Sequence, residues 1–425
     1  MKTDFDVVIV GAGPAGSSAA ILLARAGWSV ALVEKESFPR RKVCGECVAA
    51  SNFPLLEALG VGDEFAALAG PELRSTALFR GHSKLVTRLP AAEDTKYRWG
   101  RAIGREQLDS MLLEQARSMG AHVLQPWCVQ SLQGRPGDWR CEVRAINSMH
   151  SITLHSRVAI DAHGSLQSLA STRRHQPQMR SGANLFAFKA NFSGTGLAPG
   201  LLPVLSFNGG YGGMVLADSD LTTVACCIRR DVLVAARSAS PSLPAGEIVE
   251  SLLRREIFAV REVLHSSTRI GPWLAAGPIN PGIRVSAEDQ IFCIGNAAGE
   301  AHPIIGEGMS MALQSAWLLC AQLLRGESGA ALRDELWQRE ASRRYAIAWR
   351  SHFTRRVRLA AALAKIAANP WLSMPGFAVT RCWPQTLAAA ARWSGKTRCV
   401  VDKNWIGAWT ARHEVDLTRD RFFYR

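Results

Sequence analysis

The residues of this chain that could do chemistry fall into three clusters. The first is Gly11-Ala12-Gly13-Pro14-Ala15-Gly16, followed about twenty positions later by Glu34. In a G-x-G-x-x-G turn the first glycine permits the tight bend and the second lets a pyrophosphate reach the backbone. The third lets helix and strand pack closely, and the later carboxylate can hold a ribose hydroxyl pair. The second cluster is Cys44-Gly45-Glu46-Cys47, a C-x-x-C enclosing a carboxylate. It has no second cysteine pair and no nearby histidine, so a redox dithiol or a ligand-facing loop is expected and a metal is not. The third is the glycine-rich run Gly295 to Met309, which contains Asn296, His302, Gly306, Glu307 and Gly308. His302 can act as an acid or base near neutral pH, and Glu307 can cap a helix or face a ligand.

These clusters need elements to hold them. Asp6–Val10 reads as a buried strand running into the first turn, Ser17–Ala26 as the helix after it, and Ser29–Val33 as the strand that ends on Glu34. Gln290–Ile294 reads as a strand before the third cluster. A long apolar helix from about Ser310 to Leu324 follows it, with its N-terminal N–H groups directed at whatever binds there. Between them, Leu108, Leu112, Leu113 and Ala116 mark a helix over Arg105–Gly120. Val123–Leu132, Trp139–Ala145 and Ser151–Leu154 read as a meander, and Val158–Ala162 as a separate strand. Ala77–Phe79 and Lys84–Leu89 are short strands. Asn184–Phe192, Val204–Phe207, Gly213–Leu216 and Thr222–Ile228 alternate as antiparallel strands do, with the glycine cluster Gly209–Gly213 between two of them. Glu247–Leu264 reads as one helix and Gly271-Pro272 as a return loop. Helical periodicity runs from Leu332 to Ala367, breaks at Asn369-Pro370 and Met374-Pro375, and resumes near Thr386.

At 425 residues and 48 % hydrophobic content the chain can bury a large core in two or three units. No stretch reaches the roughly 20 apolar residues that span a bilayer. Ten scattered cysteines without a secretory segment suggest reduced thiols and a cytoplasmic protein. The net charge of +14 is uneven: residues 333–425 hold 18 Lys and Arg against 7 Asp and Glu. No nucleic-acid module accompanies this basicity. Two readings stay open: a solvated basic face, or docking on an anionic membrane or an acidic carrier protein through helix faces bearing Trp337, Trp349, Phe353, Trp371 and Trp383.

On Gly11–Gly16, Glu34-Lys35, Phe38-Pro39-Arg40 through Cys44-Gly45-Glu46, and Gly295–Met309, the chain resembles the FAD-dependent oxidoreductases of the aromatic-hydroxylase (p-hydroxybenzoate hydroxylase-like) fold. Its branch includes geranylgeranyl reductases, flavin halogenases and tailoring monooxygenases. The resemblance implies an α/β protein. A Rossmann-like FAD-binding domain (ββα) would be formed by residues 1–75, 101–175 and 276–330. An inserted antiparallel β-sheet substrate domain would comprise 76–100 and 176–275, and a basic helical region would follow at 331–425. It implies FAD contacts at Gly11, Gly13, Ala15, Gly16, Glu34, Lys35, Arg40, Cys44, Gly45, Arg105, Val129, Asn296, Gly306, Gly308 and Met309. Arg105 would reach the phosphates, and Asn296 stands where the family has an Asp on the ribityl chain. Cys44, Glu46, His302 and Glu307 would lie beside the flavin as candidate catalytic groups. NAD(P)H is the expected electron donor, although the family's Ala-Asp-Gly strand end reads Ala162-His163-Gly164 here. The halogenases carry Trp-x-Trp, which this chain lacks. The reductases carry Tyr-x-Trp-x-Phe-Pro, and Tyr97-Arg98-Trp99 continues instead as Gly100-Arg101. By elimination, the expected activity is hydroxylation or related oxidation of a hydrophobic or phenolic small molecule, such as a secondary or lipid-like metabolite, through a flavin hydroperoxide. Double-bond reduction, halogenation and a non-catalytic flavin carrier are the alternatives, and the oligomeric state is open.

Overall fold

A computed structural model describes residues 2–93, 96–164, 185–218, 220–325, 331–383, 385–393 and 397–412. The expected boundary at 175/176 lies outside the described residues. The chain forms two seven-stranded sheets and two short strand pairs, with helices packed on both large sheets.

Asp4–Val10 is central in the first sheet. It runs parallel to Val30–Val33 on one side and to the end of Ser151–Asp161 on the other. Val7, Val8, Ile9 and Val10 are all buried, because both faces of a parallel strand are covered and both must be apolar. Helices Pro14–Arg25, Arg105–Ser118 and Gly308–Leu323 cover one face. The apolar side of the meander covers the other, through Leu132, Trp139, Cys141 and Val143. Pro14–Arg25 begins three residues before the expected Ser17, since a proline suits the first helical turn. The last meander strand and the expected strand at 158 are one strand, Ser151–Asp161. It starts antiparallel to Asp138–Ala145 and finishes parallel to Asp4–Val10. The polar Ser156 and Arg157 look like a break in sequence. Here the Ser156 hydroxyl donates to the Val158 carbonyl and Arg157 pairs with Asp6.

The second sheet runs in the order Thr268–Ala276, Leu185–Ser193, Leu221–Arg229, Gly210–Ala217, Leu201–Phe207, Ser75–Arg80, Ser83–Arg88. Its one parallel pairing, Leu201–Phe207 with Ser75–Arg80, joins segments far apart in sequence. Helices Ala245–Glu256 and Phe258–Val263 pack on one face. They replace the single expected helix because Ile257 is extended, fully buried and bridged to Gly81. Arg230–Ser238 is a further helix that the sequence reading did not separate. Gly271-Pro272 lies inside the edge strand Thr268–Ala276, where a proline removes no needed ladder donor. Gly209, at φ +69°, sits in the two-residue turn of the hairpin that pairs Phe207 with Gly210, and Gly210–Gly213 begin its second strand.

The C-terminal part is helical over Glu335–Ala368, Pro370–Cys382, Gln385–Trp393 and Lys403–Arg412. Asn369 caps the second of these, its side-chain oxygen accepting from the Trp371 N–H at 3.0 Å. Pro375 does not end that helix: the carbonyl it leaves unpaired belongs to Trp371, on an exposed turn. Trp349 is fully buried against Gly299 of the second glycine run and Phe353 is fully buried beside it, so they offer no docking surface. Trp405 and Trp409 stand edge-on to Trp317 at 5.5 and 5.4 Å and pin the last helix to the first unit.

Candidate functional site

A single cavity of about 1340 Å³ runs from the first glycine turn to the C-terminal helices, bordered by both large sheets. It exceeds the ~300–1,000 Å³ usual for one small ligand, so it has room for a dinucleotide and a second molecule.

At one end the backbone does most of the shaping. Gly11 has φ +102°, and a Cβ there would meet the Ala162 carbonyl oxygen at 2.6 Å. A Cβ on Gly16 would lie 1.8 Å from the Gly11 oxygen, so strand and helix touch only because neither residue has a side chain. Gly13 differs. A Cβ on it would be 3.9 Å from Arg105 Nη2 and 4.0 Å from Arg40 Nη2, so its open side faces two guanidiniums. Arg105 is buried and donates to both Asp109 oxygens at 2.7 Å. Arg40 lies 3.5 Å from Glu34 and 3.6 Å from Asp109. Lys42 completes the group; burial, followed by repulsion from Arg105 and Arg40, pushes its pKa down to about 8. Three cations, two carboxylates and a helix N-terminus with no acidic residue in its first turn suit a pyrophosphate. Lys42 and Asp109 were not anticipated. The signals were there, in the basic run Arg40-Arg41-Lys42 and in Asp109 one helical turn after Arg105.

Glu34 accepts from the Ala12 N–H at 2.8 Å and the Glu36 N–H at 2.9 Å, which fixes its carboxylate at the mouth of the turn. Lys35 pairs with Glu36 and, like Ala15 and Val129, borders the cavity. His163 borders it too, its ring held by the buried carboxylate of Asp161. The departure from Ala-Asp-Gly thus leaves a carboxylate nearby, two residues earlier and bonded to the imidazole.

Further along, Gly295 (φ +58°) donates to the Ser315 hydroxyl at 2.8 Å, and Gly306 is left-handed at φ +63°. These turns bring Asn296, Gly306, Gly308 and Met309 to the cavity wall, where helix Gly308–Leu323 begins. Cys44, Gly45 and Glu46 border the cavity opposite. His302 and Glu307 lie between residues that border it, Ala301 and Pro303 on either side of the first and Gly306 and Gly308 on either side of the second, without bordering it themselves. The His302 ring lies 3.5 Å from the Tyr211 hydroxyl, and burial lowers its pKa. Glu307 lies 3.8 Å from Arg356 on the long helix, behind the turn. Glu46 is also more than a loop carboxylate. At φ +57° it is turned fully inward. One oxygen accepts from the Arg105 N–H at 2.9 Å and from Lys189; the other accepts from Thr223. Since Lys189 and Thr223 lie on the second sheet, Glu46 bolts that sheet to the nucleotide end. The Cys44 sulfur accepts from the Glu46 N–H at 3.3 Å and bonds Arg105, which ties the loop down.

The other end of the cavity is apolar. Along Leu201–Phe207 burial alternates: Leu201, Leu205 and Phe207 enter the core under the helices, leaving Leu202, Val204 and Ser206 toward the cavity. Gly212 has no room for a side chain, since a Cβ would meet the Ala225 carbonyl oxygen at 2.6 Å. The C-terminal helices form the roof, through Leu363, Ile366, Phe377, Thr380, Leu387 and Ala391. Among the described residues no group of three or more His, Cys, Asp or Glu is placed to hold a metal ion. No helix among them is long and apolar enough to cross a membrane.

The chain belongs to the FAD binding domain family, which it matches over residues 4–352, and it is an FAD-dependent oxidoreductase. It is 27 % identical over 369 residues to conditioned medium factor receptor 1 of Dictyostelium discoideum, covering 82 % of this chain and 68 % of that one. It is 24 % identical over 351 residues to a 1H-pyrrole-2-carbonyl-[peptidyl-carrier protein] chlorinase of Pseudomonas fluorescens, covering 76 % of each. The solved structure of the myxobacterial chondrochloren halogenase superposes with a TM-score of 0.72 at 18 % identity, covering 97 % of both chains. A geranylgeranyl bacteriochlorophyll reductase-like protein from Thermoplasma acidophilum does so with 0.66 at 16 % identity, again over 97 % of both. The lack of Trp-x-Trp therefore does not set halogenation aside, since chains similar to this one include halogenases.

Proposed function

We propose that this enzyme oxidises an apolar small molecule by inserting one oxygen atom from O₂, with NAD(P)H as electron donor. The observation that carries this reading is the continuity of the cavity: an apolar chamber opens directly onto the end that suits a dinucleotide. FAD would supply the two-electron chemistry and the activation of oxygen. In this reading Gly13, Arg40, Lys42 and Arg105 hold its pyrophosphate, and Glu34 takes the ribose hydroxyls. Asn296 meets the ribityl chain, and the start of helix Gly308–Leu323 faces the ring system. The roof helices keep water from the reacting atoms. In the balanced reaction one oxygen atom enters a C–H bond of the substrate. The other leaves as water, with two electrons from NAD(P)H and one proton from solvent.

Halogenation is the second reading, favoured by the chlorinase relative. The test is to reduce the purified protein anaerobically with NADPH or NADH. Oxygen and a panel of apolar and phenolic compounds are then admitted, with and without chloride or bromide. A product carrying one added oxygen supports hydroxylation, and one carrying a halogen replaces it with the second reading. A saturated product formed without oxygen would overturn both.

A further inference from the structure

The roof of the apolar chamber has a second apolar face. The inner side of Pro370–Cys382 and Gln385–Trp393 borders the cavity through Phe377, Thr380 and Leu387. On the outer side Trp371 is 87 % exposed, Met374 67 %, Val379 47 % and Trp383 62 %. A surface helix ordinarily turns its apolar stripe inward only. Isolated exposed apolar residues need no explanation, but two tryptophans, a methionine and a valine within 13 positions form a patch.

Charge identifies what the patch meets. Residues 341–401 contain eleven Lys and Arg and not one Asp or Glu. Arg358, Lys365, Arg381, Arg392 and Arg398 are exposed. Arg343 and Arg344 pair with Glu340, and the buried Arg356 with Glu307, but tryptophans beside the exposed cations match the boundary between anionic headgroups and acyl chains. A polar protein partner would leave the two indoles facing polar atoms.

We propose that the roof formed by Pro370–Cys382 and Gln385–Trp393 seats on an anionic bilayer and opens the apolar chamber toward it, so that the substrate is a lipid-soluble molecule taken from the membrane. This rests on the reading of the chamber as the substrate site. The attraction of basic residues to an anionic surface is screened by ions, so binding falls with salt.

The test is co-sedimentation of the full chain with vesicles of phosphatidylcholine alone or with added phosphatidylglycerol, without substrate or NAD(P)H. Turnover plays no part, so a wrong assignment of the reaction leaves this readout intact. The expected result is at least about tenfold stronger binding to the anionic vesicles, lost at high salt. The triple variant Trp371→Ser, Met374→Ser, Trp383→Ser should keep its flavin and bind at least about tenfold more weakly. Equal, negligible binding of the wild type to both vesicles at low salt overturns the proposal. So does undiminished binding of the flavin-loaded variant. Salt-sensitive binding to a purified acyl carrier protein, with no vesicle binding, would replace the membrane with a carrier.

Discussion

The two ends of the cavity are built by different means. The nucleotide end is made of backbone turns and fixed charges: Gly11 and Gly16 touch other backbone, and Arg105 and Arg40 share Asp109. The apolar end is made of side chains from strands Leu201–Phe207, Gly210–Ala217 and Leu221–Arg229 and from the C-terminal helices. At the first end most single changes break either the fold or an ion network. At the second a side chain can change while the strand under it stays. One frame can therefore keep its cofactor and change its substrate, consistent with a fold that this chain shares with a halogenase and a reductase-like protein.

The sharpest test of the nucleotide end is Gly13→Glu. Its Cβ has room, nearly 4 Å from the nearest guanidinium nitrogen, so the fold should survive. The carboxylate would occupy the position proposed for the pyrophosphate. We expect a folded, colourless protein, read from visible absorbance and circular dichroism. Normal flavin content would move the dinucleotide elsewhere.

Glu46→Gln tests the bolt between the two ends. It leaves Lys189, 1 % exposed, as a buried unpaired cation, which costs about 3–5 kcal/mol. The urea midpoint should fall accordingly. An unchanged midpoint with lost turnover would make Glu46 a reacting group instead.

Val204→Trp addresses the apolar end alone. It fills the chamber from a strand whose core side is untouched. Flavin content should stay normal while substrate-stimulated NAD(P)H oxidation falls at least about tenfold, the equivalent of 1.4 kcal/mol. Loss of flavin in this variant would blur the division between the ends.

The smallest effect concerns Lys42. With its pKa lowered to about 8 by burial and neighbouring guanidiniums, it is charged below that pH and neutral above. A bound pyrophosphate favours the charged form, so FAD affinity should hold steady up to about pH 8. It should then weaken by up to about a decade per pH unit. Lys42→Met should bind more weakly at pH 7 and lose this slope in titrations by flavin fluorescence.

The legible parts of the site were those whose physics is local. Gly11 and Gly16 announce themselves because a tight turn and a helix–strand contact exclude a side chain within six residues, while Gly13 stands between them with its open side toward the guanidiniums. Glu34 follows from its distance after the first glycine turn, whereas Arg105 and the turn before Gly308 were given by the family resemblance. Spacing puts His302 and Glu307 in a loop but does not say which way they face. Tyr211 and Arg356, from distant elements, decided that.

The sequence by itself determined the parallel strand–turn–helix start, the second glycine turn and the basicity of the C-terminal part, since each depends on neighbours a few residues away. Tertiary structure alone decided that Glu46 is neutralised by Lys189, 143 positions away. It alone buried Trp349 and Phe353 while exposing Trp371 and Trp383. It also made helices read as a basic surface into the roof of an apolar chamber. Burial and ion pairing depend on what stands opposite a residue, and for these residues what stands opposite comes from elsewhere in the chain.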